Sequence, residues 1–245
     1  MASPVFTRNQ NFNSNTPTAN FTDPGKVMTL DNSLRKTILT FTVLVAAAAV
    51  GWVFPILMIP GLIIGLVFGL INAFRKEPSP VMIMIYAVAE GLAIGALSSI
   101  YNVREPGIVT QAVLATLSVI AVTLFLYKTG LVKATPKMTK IVLIAMLGYL
   151  VFSLVNLGLM ATGVVPDAWG LRGSVEIFGI PLGIILGVFA VILGAYSLIM
   201  DFDFIEKGVA NRLPERYGWT AAFGITVTVV WIYVEILRLL AILRR

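Results

Sequence analysis

Residues 183–207, GIILGVFAVILGAYSLIMDFDFIEK, decide how the chain is read: a glycine-rich apolar helix runs straight into Asp201-Phe202-Asp203 and so stops at acid rather than at Lys or Arg. Gly183, Gly187, Ala190, Gly194, Ser197 and Asp201 recur at alternating steps of four and three, which puts all six on one face of an α-helix. Such a face lets a second backbone approach closely, and here it ends in a carboxylate. Two readings follow. Either Asp201 and Asp203 lie in water and end the helix, or Asp201 sits at the end of a packing seam, where an ionisable group is costly and serves a function.

Composition bounds the class. Of 245 residues, 58% are hydrophobic and only 12% charged, against about 25% charged in soluble domains, and the mean hydropathy is +0.92. This is the composition of an all-α, multi-pass membrane protein. The net charge of +6 does not point to nucleic acid, because the 18 Lys and Arg are scattered between apolar runs instead of gathered on one domain. There is no Cys and no His, which excludes disulfides, thiol nucleophiles, iron–sulfur clusters, imidazole relays and His-based metal sites. Proton chemistry falls to Asp, Glu, Tyr, Lys or Arg.

Residues 1–34 are rich in Asn, Thr, Ser and Pro and read as a disordered polar tail. Residues 35–245 read as a seven-helix transmembrane domain, from apolar runs at about 37–53, 56–74, 81–101, 108–127, 141–161, 177–200 and 219–243. Pro55 and Pro60 separate the first two runs with almost no loop, and a tight hairpin is favoured because the combined run far exceeds one span. Placing the amino terminus inside assigns thirteen basic residues to the cytoplasm, against Arg104, Arg172, Arg244 and Arg245 outside. The bias predicts a cytoplasmic amino terminus and an external carboxyl terminus.

Few ionisable residues remain within the runs. Glu90 lies near the middle of the third and cannot face lipid cheaply, so it faces a cavity or stays protonated; a hydrogen bond between packed helices is the structural alternative. Glu235 and Arg238, three apart in the last run, are expected to pair as a structural ion pair. Tyr149, Ser153 and Asn156 form a polar stripe on the fifth run that can meet these groups in a common interior or bond within its own helix.

The segment IMDFDFIEKG, the ending EILRLLAIL and the pair Glu90-Gly91 together resemble the bacterial branch of the Bax inhibitor-1 family, the transmembrane Bax inhibitor motif proteins, over residues 36–245. The resemblance implies seven helices in a bacterial plasma membrane and a pH-sensitive calcium leak. It also implies a gate in which an aspartate ending the sixth helix bonds another in the seventh. Asp201 matches the first aspartate. The second falls on or near Thr228, with Asp203 and Glu235 as displaced substitutes, and no Lys or Arg within runs one to four matches the family's basic latch.

The resulting expectation is a non-enzymatic, passive cation pathway for Ca²⁺ or H⁺ with no cofactor. Asp201 and Asp203 stand at its cytoplasmic mouth as candidate Ca²⁺ ligands, and Glu90 and Glu235 line it. Gly183, Gly187 and Gly194 pack its helices. Hard cations take oxygen ligands, which carboxylates, hydroxyls and carbonyls supply without His or Cys. Asp201 is the expected pH sensor, and Asp203, turned toward Lys207 and Arg212, a fixed charge. The rival is a non-conducting protein that binds other membrane proteins through its glycine faces and regulates a membrane protease or a stress or cell-death response. An intramembrane hydrolase is the weakest reading, lacking His, Cys and a Gly-x-Ser-x-Gly turn.

Overall fold

The computed structural model describes residues 27–244. In chain order they form α1 (Leu30–Val53), a 3₁₀ turn (Pro55–Leu57), α2 (Met58–Phe74), α3 (Pro80–Arg104), α4 (Ile108–Lys128), α5 (Pro136–Ala161), the single turn α6 (Leu171–Ser174), strands β1 (Glu176–Ile177) and β2 (Ile180–Pro181), α7 (Leu182–Ala210) and α8 (Tyr217–Leu243). Seven of the helices, with α2 counted from Pro55, are long and apolar enough to cross a membrane. Residues 1–26 of the expected tail lie outside the described residues. Its last part, 27–34, belongs to the folded domain: Val27 bridges Pro214, Met28 is fully buried, and Thr29 caps α1 in a reciprocal box with Asn32.

Three helices form the core. In their most apolar windows α3, α7 and α8 are 56%, 50% and 56% buried, whereas α1, α2, α4 and α5 are 17–28% buried and turn Val, Ile and Leu outward. Outward apolar side chains are the stable arrangement when the solvent is hydrocarbon. The first two spans are separate helices on either side of α3. Phe54, which precedes Pro55 and cannot stay helical, takes φ −120° and ends α1. Pro60 falls in the first turn of α2, where no intrahelical N–H is lost. A Cβ at Gly91 or Gly95 would meet Leu44 and Ala48 of α1, while Gly61 and Gly69 of α2 face Ala89 and Tyr86 in the opposite sense. So α1 runs parallel to α3 and α2 antiparallel.

The ends of the bundle follow. Lys36 pairs with Glu215 and Glu77 with Arg216 at one end, and Arg244 pairs with Glu105 at the other. The two ends of the described chain therefore lie on opposite sides of the seven spans.

The sixth apolar run, expected over 177–200 and ending in acid, is corrected at both margins. Residues 177–181 are not helical: Phe178 (φ 55°) and Gly179 (φ 76°) close a two-residue hairpin between β1 and β2. At the other margin α7 does not stop at acid. It continues nine residues past Asp201 to Ala210, because Phe204 and Ile205 bury against Met28, Leu213 and Tyr217, and because Asp203 and Lys207 pair one turn apart. Asp201 is an interior residue of a 29-residue helix and not its end.

Candidate functional site

The small face of α7 packs on α8 as a seam. A Cβ on Gly194 would stand 2.6 Å from Ile232, one on Gly187 2.9 Å from Leu239, and one on Gly183 2.5 Å from Ile242. Asp201 continues this face and is only 2% exposed. Its Oδ2 accepts a 2.7 Å hydrogen bond from the hydroxyl of Thr228, itself buried. Thr226, two residues earlier on α8, bonds back to its own backbone at the carbonyl of Ala222, 2.7 Å away. Thr228 instead crosses to α7 and supplies what a buried carboxyl needs.

Asp203 stands two residues further on and points elsewhere. It is half-buried and makes a 2.6 Å ion pair with Lys207, so the two aspartates do not converge on one cation. Helix geometry is the reason, since positions two apart are about 200° round the axis. Among the described residues no three carboxylates cluster in a way that would hold a metal. Beside this pair, the Tyr127 hydroxyl at the end of α4 donates a short hydrogen bond to Glu206.

Glu90 lies on a different seam. Its Oε2 reaches toward α2 and lies 2.6 Å from where a Gly65 Cβ would stand, so the carboxyl occupies room that only glycine leaves. No hydrogen bond or ion pair to Glu90 is formed among the described residues. On the same face of α3, Tyr86 makes an edge contact with Phe223 of α8 at 5.1 Å.

Glu235 belongs to a third group, toward the end of α8 near Leu243. It is 3% exposed and sits between two arginines, Arg238 at 2.8 Å and Arg172 at 3.7 Å. The basic bias assigns Arg172 to an external loop; it is 4% exposed and is corrected to a core residue. The reason is local. Asn156 of α5 accepts from the Leu171 N–H at 2.7 Å and donates to the Trp169 carbonyl at 3.2 Å, and Gly170, at φ 61°, turns the loop inward against it. Arg172 then donates to Ser153 at 2.8 Å and lies over the Tyr149 and Phe152 rings. The polar stripe of α5 thus meets the acid of α8 through an arginine that neither stripe announced. The structure does not bring Glu235 into contact with Asp201: Thr228 and Glu235 lie two turns apart on α8.

These features define an all-α, multi-pass membrane protein that carries buried acids on separate seams between its helices. The family model described as Bax inhibitor 1 like matches residues 3–245, and the chain belongs to that family. No curated protein matches the chain.

Proposed function

We propose that the protein is a passive, pH-sensitive cation leak pathway, with Ca²⁺ the expected ion, in which the α7–α8 seam at Asp201 is the gate. The observation that carries this reading is the Asp201–Thr228 bond: a carboxyl deep between two core helices, held by a single neutral hydroxyl. A permanent ion pair there would lock the seam, whereas a lone acid can change its charge and with it the stability of the packed helices. With Asp201 enclosed, the packed form is the closed one, and conduction requires α7 and α8 to part. Glycines at 183, 187 and 194 suit that motion, since they hold the seam by close contact and not by large interlocking side chains. Asp203 then acts as a fixed charge, neutralised in part by Lys207, and Glu90 as a second acid on the α2–α3 seam. No bond-making chemistry is needed for this role. The proposed setting is a bacterial plasma membrane with the Lys36 and Arg216 end in the cytoplasm, which follows the basic bias.

One observation favours the interaction-protein reading. Gly148 and Gly158 lie on the lightly packed α5 with nothing within 4 Å of an added Cβ, which leaves a close-approach surface for another membrane helix. Reconstitution separates the two. Purified protein in liposomes, followed with Ca²⁺, Na⁺ and H⁺ dyes, leaks cations above empty vesicles if the seam conducts and does not if the protein only binds partners.

A further inference from the structure

Beside the Arg172–Glu235–Arg238 group lies a cavity of about 500 Å³, lined by polar groups at its base and by Tyr101, Trp169, Leu154 and Leu157 around it. Its charges do not cancel: buried Arg172 and Glu235 with partly exposed Arg238 leave an excess of +1. Nη1 of Arg172 and Oε2 of Glu235, both on side chains more than nine-tenths buried, face each other across a 3.7 Å ion pair, too long for a hydrogen bond, and make no other. A donor and an acceptor buried at that distance fall short of a full bond, and the excess positive charge beside them adds to the cost. The complement to this base is a singly charged oxyanion with a hydroxyl next to it. The rest of the cavity adds a third requirement. Leu154 and Leu157 are 59% and 61% exposed on the lipid-facing side of α5, so the mouth opens laterally toward hydrocarbon.

Depth agrees with this. Tyr101 is three residues from the end of α3 and Glu235 eight from the end of α8, which puts the cavity roughly 5 to 12 Å below the helix ends at 1.5 Å per residue. That is the zone where headgroups meet acyl chains, and where Tyr and Trp such as Tyr101 and Trp169 (ring centroids 6.1 Å apart) are favoured. The base is also built rather than incidental. Asn156 spends both its amide groups on the loop that carries Arg172, and Ser153 holds the guanidinium, so the fork is aimed before any ligand arrives.

We propose that this cavity binds the headgroup of an anionic glycerophospholipid: the phosphodiester on Arg172 and Arg238, a headgroup hydroxyl donating to Glu235, and the acyl chains along Leu154 and Leu157. The site stands apart from the Asp201 seam and does not depend on conduction. A free phosphodiester offers the same headgroup chemistry without the tails.

The test uses the full chain, delipidated in detergent, with native mass spectrometry reading the bound fraction. The probes are phosphatidylglycerol, phosphatidylethanolamine of the same chains, and deacylated glycerophosphoglycerol. Phosphatidylglycerol is expected to bind at least about tenfold more tightly than phosphatidylethanolamine, as one charge-assisted bond gives. Arg172→Gln with Arg238→Gln, which removes both cations that hold the phosphodiester, should bring the two lipids to parity. Should that pair fail to fold, Arg238→Gln, at a half-exposed position, must lower the preference, and Leu157→Trp must weaken phosphatidylglycerol by narrowing the mouth. Equal binding of the two lipids by the wild type, or an undiminished preference in these variants, overturns the site. Glycerophosphoglycerol binding as tightly as the lipid overturns the lipid as the source and leaves a free phosphodiester.

Discussion

The hydroxyl of Thr228 on α8 donates a 2.7 Å hydrogen bond to Asp201 on α7, and both residues are buried. In the resemblance drawn from sequence, the position at or near Thr228 is where a second aspartate would stand. Here a neutral hydroxyl occupies the place of a carboxyl pair, so the seam carries one titrating group and not two coupled ones.

Removing that hydroxyl should be felt directly. Thr228→Val keeps the shape and leaves the Asp201 carboxyl without its donor, for an expected loss of ~1–3 kcal/mol in stability. Thr228→Ser should retain most of it. Thermal unfolding in detergent at one pH checks both, and equal stability of the Val and Ser variants would mean that the bond contributes nothing.

Close packing makes a second set of outcomes. A Cβ at Gly194 would enter the space of the fully buried Ile232, so Gly194→Ala is expected to cost ~1–3 kcal/mol. Gly158→Ala meets nothing within 4 Å and should be neutral or gain up to ~1 kcal/mol from helix propensity. Unfolding temperatures of the two variants should therefore move in opposite directions or differ clearly.

Glu90 and Gly65 form a lock of a different kind. Gly65→Ala puts a methyl where Glu90 Oε2 lies, which forces the carboxyl to turn. Glu90→Gln is expected to fold and to alter flux, and Gly65→Ala to alter it in the same direction. If the double variant changes flux by the sum of the single effects, the two residues act independently and the coupling is refuted.

The arginine core permits a sharper comparison. Arg172→Met removes the longer contact and leaves Glu235 in its 2.8 Å pair with Arg238, whereas Arg172→Met with Glu235→Met leaves Arg238 without an acid, so the double change is expected to cost more than the single one. Chemical unfolding of the two variants checks this, and a double variant as stable as the single one would show that the Glu235–Arg238 pair contributes nothing.

What the sequence makes legible follows from the physics of each signal. Seven spans are readable because a run of ~20 apolar residues fits little except a membrane-crossing helix, and Pro55 correctly divides α1 from α2 because the residue before proline leaves the helix. The one-sided face from Gly183 to Asp201 is readable because its spacing depends only on helix geometry. The helix end is not. Hydropathy falls at Asp201, but α7 continues because Phe204 and Ile205 find a tertiary surface made by Met28, Leu213 and Tyr217, with Met28 distant in the chain. Arg172 escapes for a related reason. Its burial depends on Asn156 holding a loop 15 residues away, and the basic bias treats every loop arginine alike. The partner of Asp201 is within reach: counting back from Arg238 already leads to Thr228, and only the direction of its hydroxyl is missing.

The central claim is that the charge on Asp201 controls cation flux through the α7–α8 seam. The ionised carboxylate is costly in the packed seam and the protonated one is not, so deprotonation favours parting of the helices and flux should rise with pH. The most direct measurement is Ca²⁺ flux into liposomes from pH 5 to pH 8 for the wild type, Asp201→Asn and Asp203→Asn. The account predicts a flux that climbs with pH in the wild type, stays low and flat in Asp201→Asn, and keeps its slope at lower amplitude in Asp203→Asn. A pH response that survives Asp201→Asn, or one that disappears only with Asp203→Asn, would contradict it.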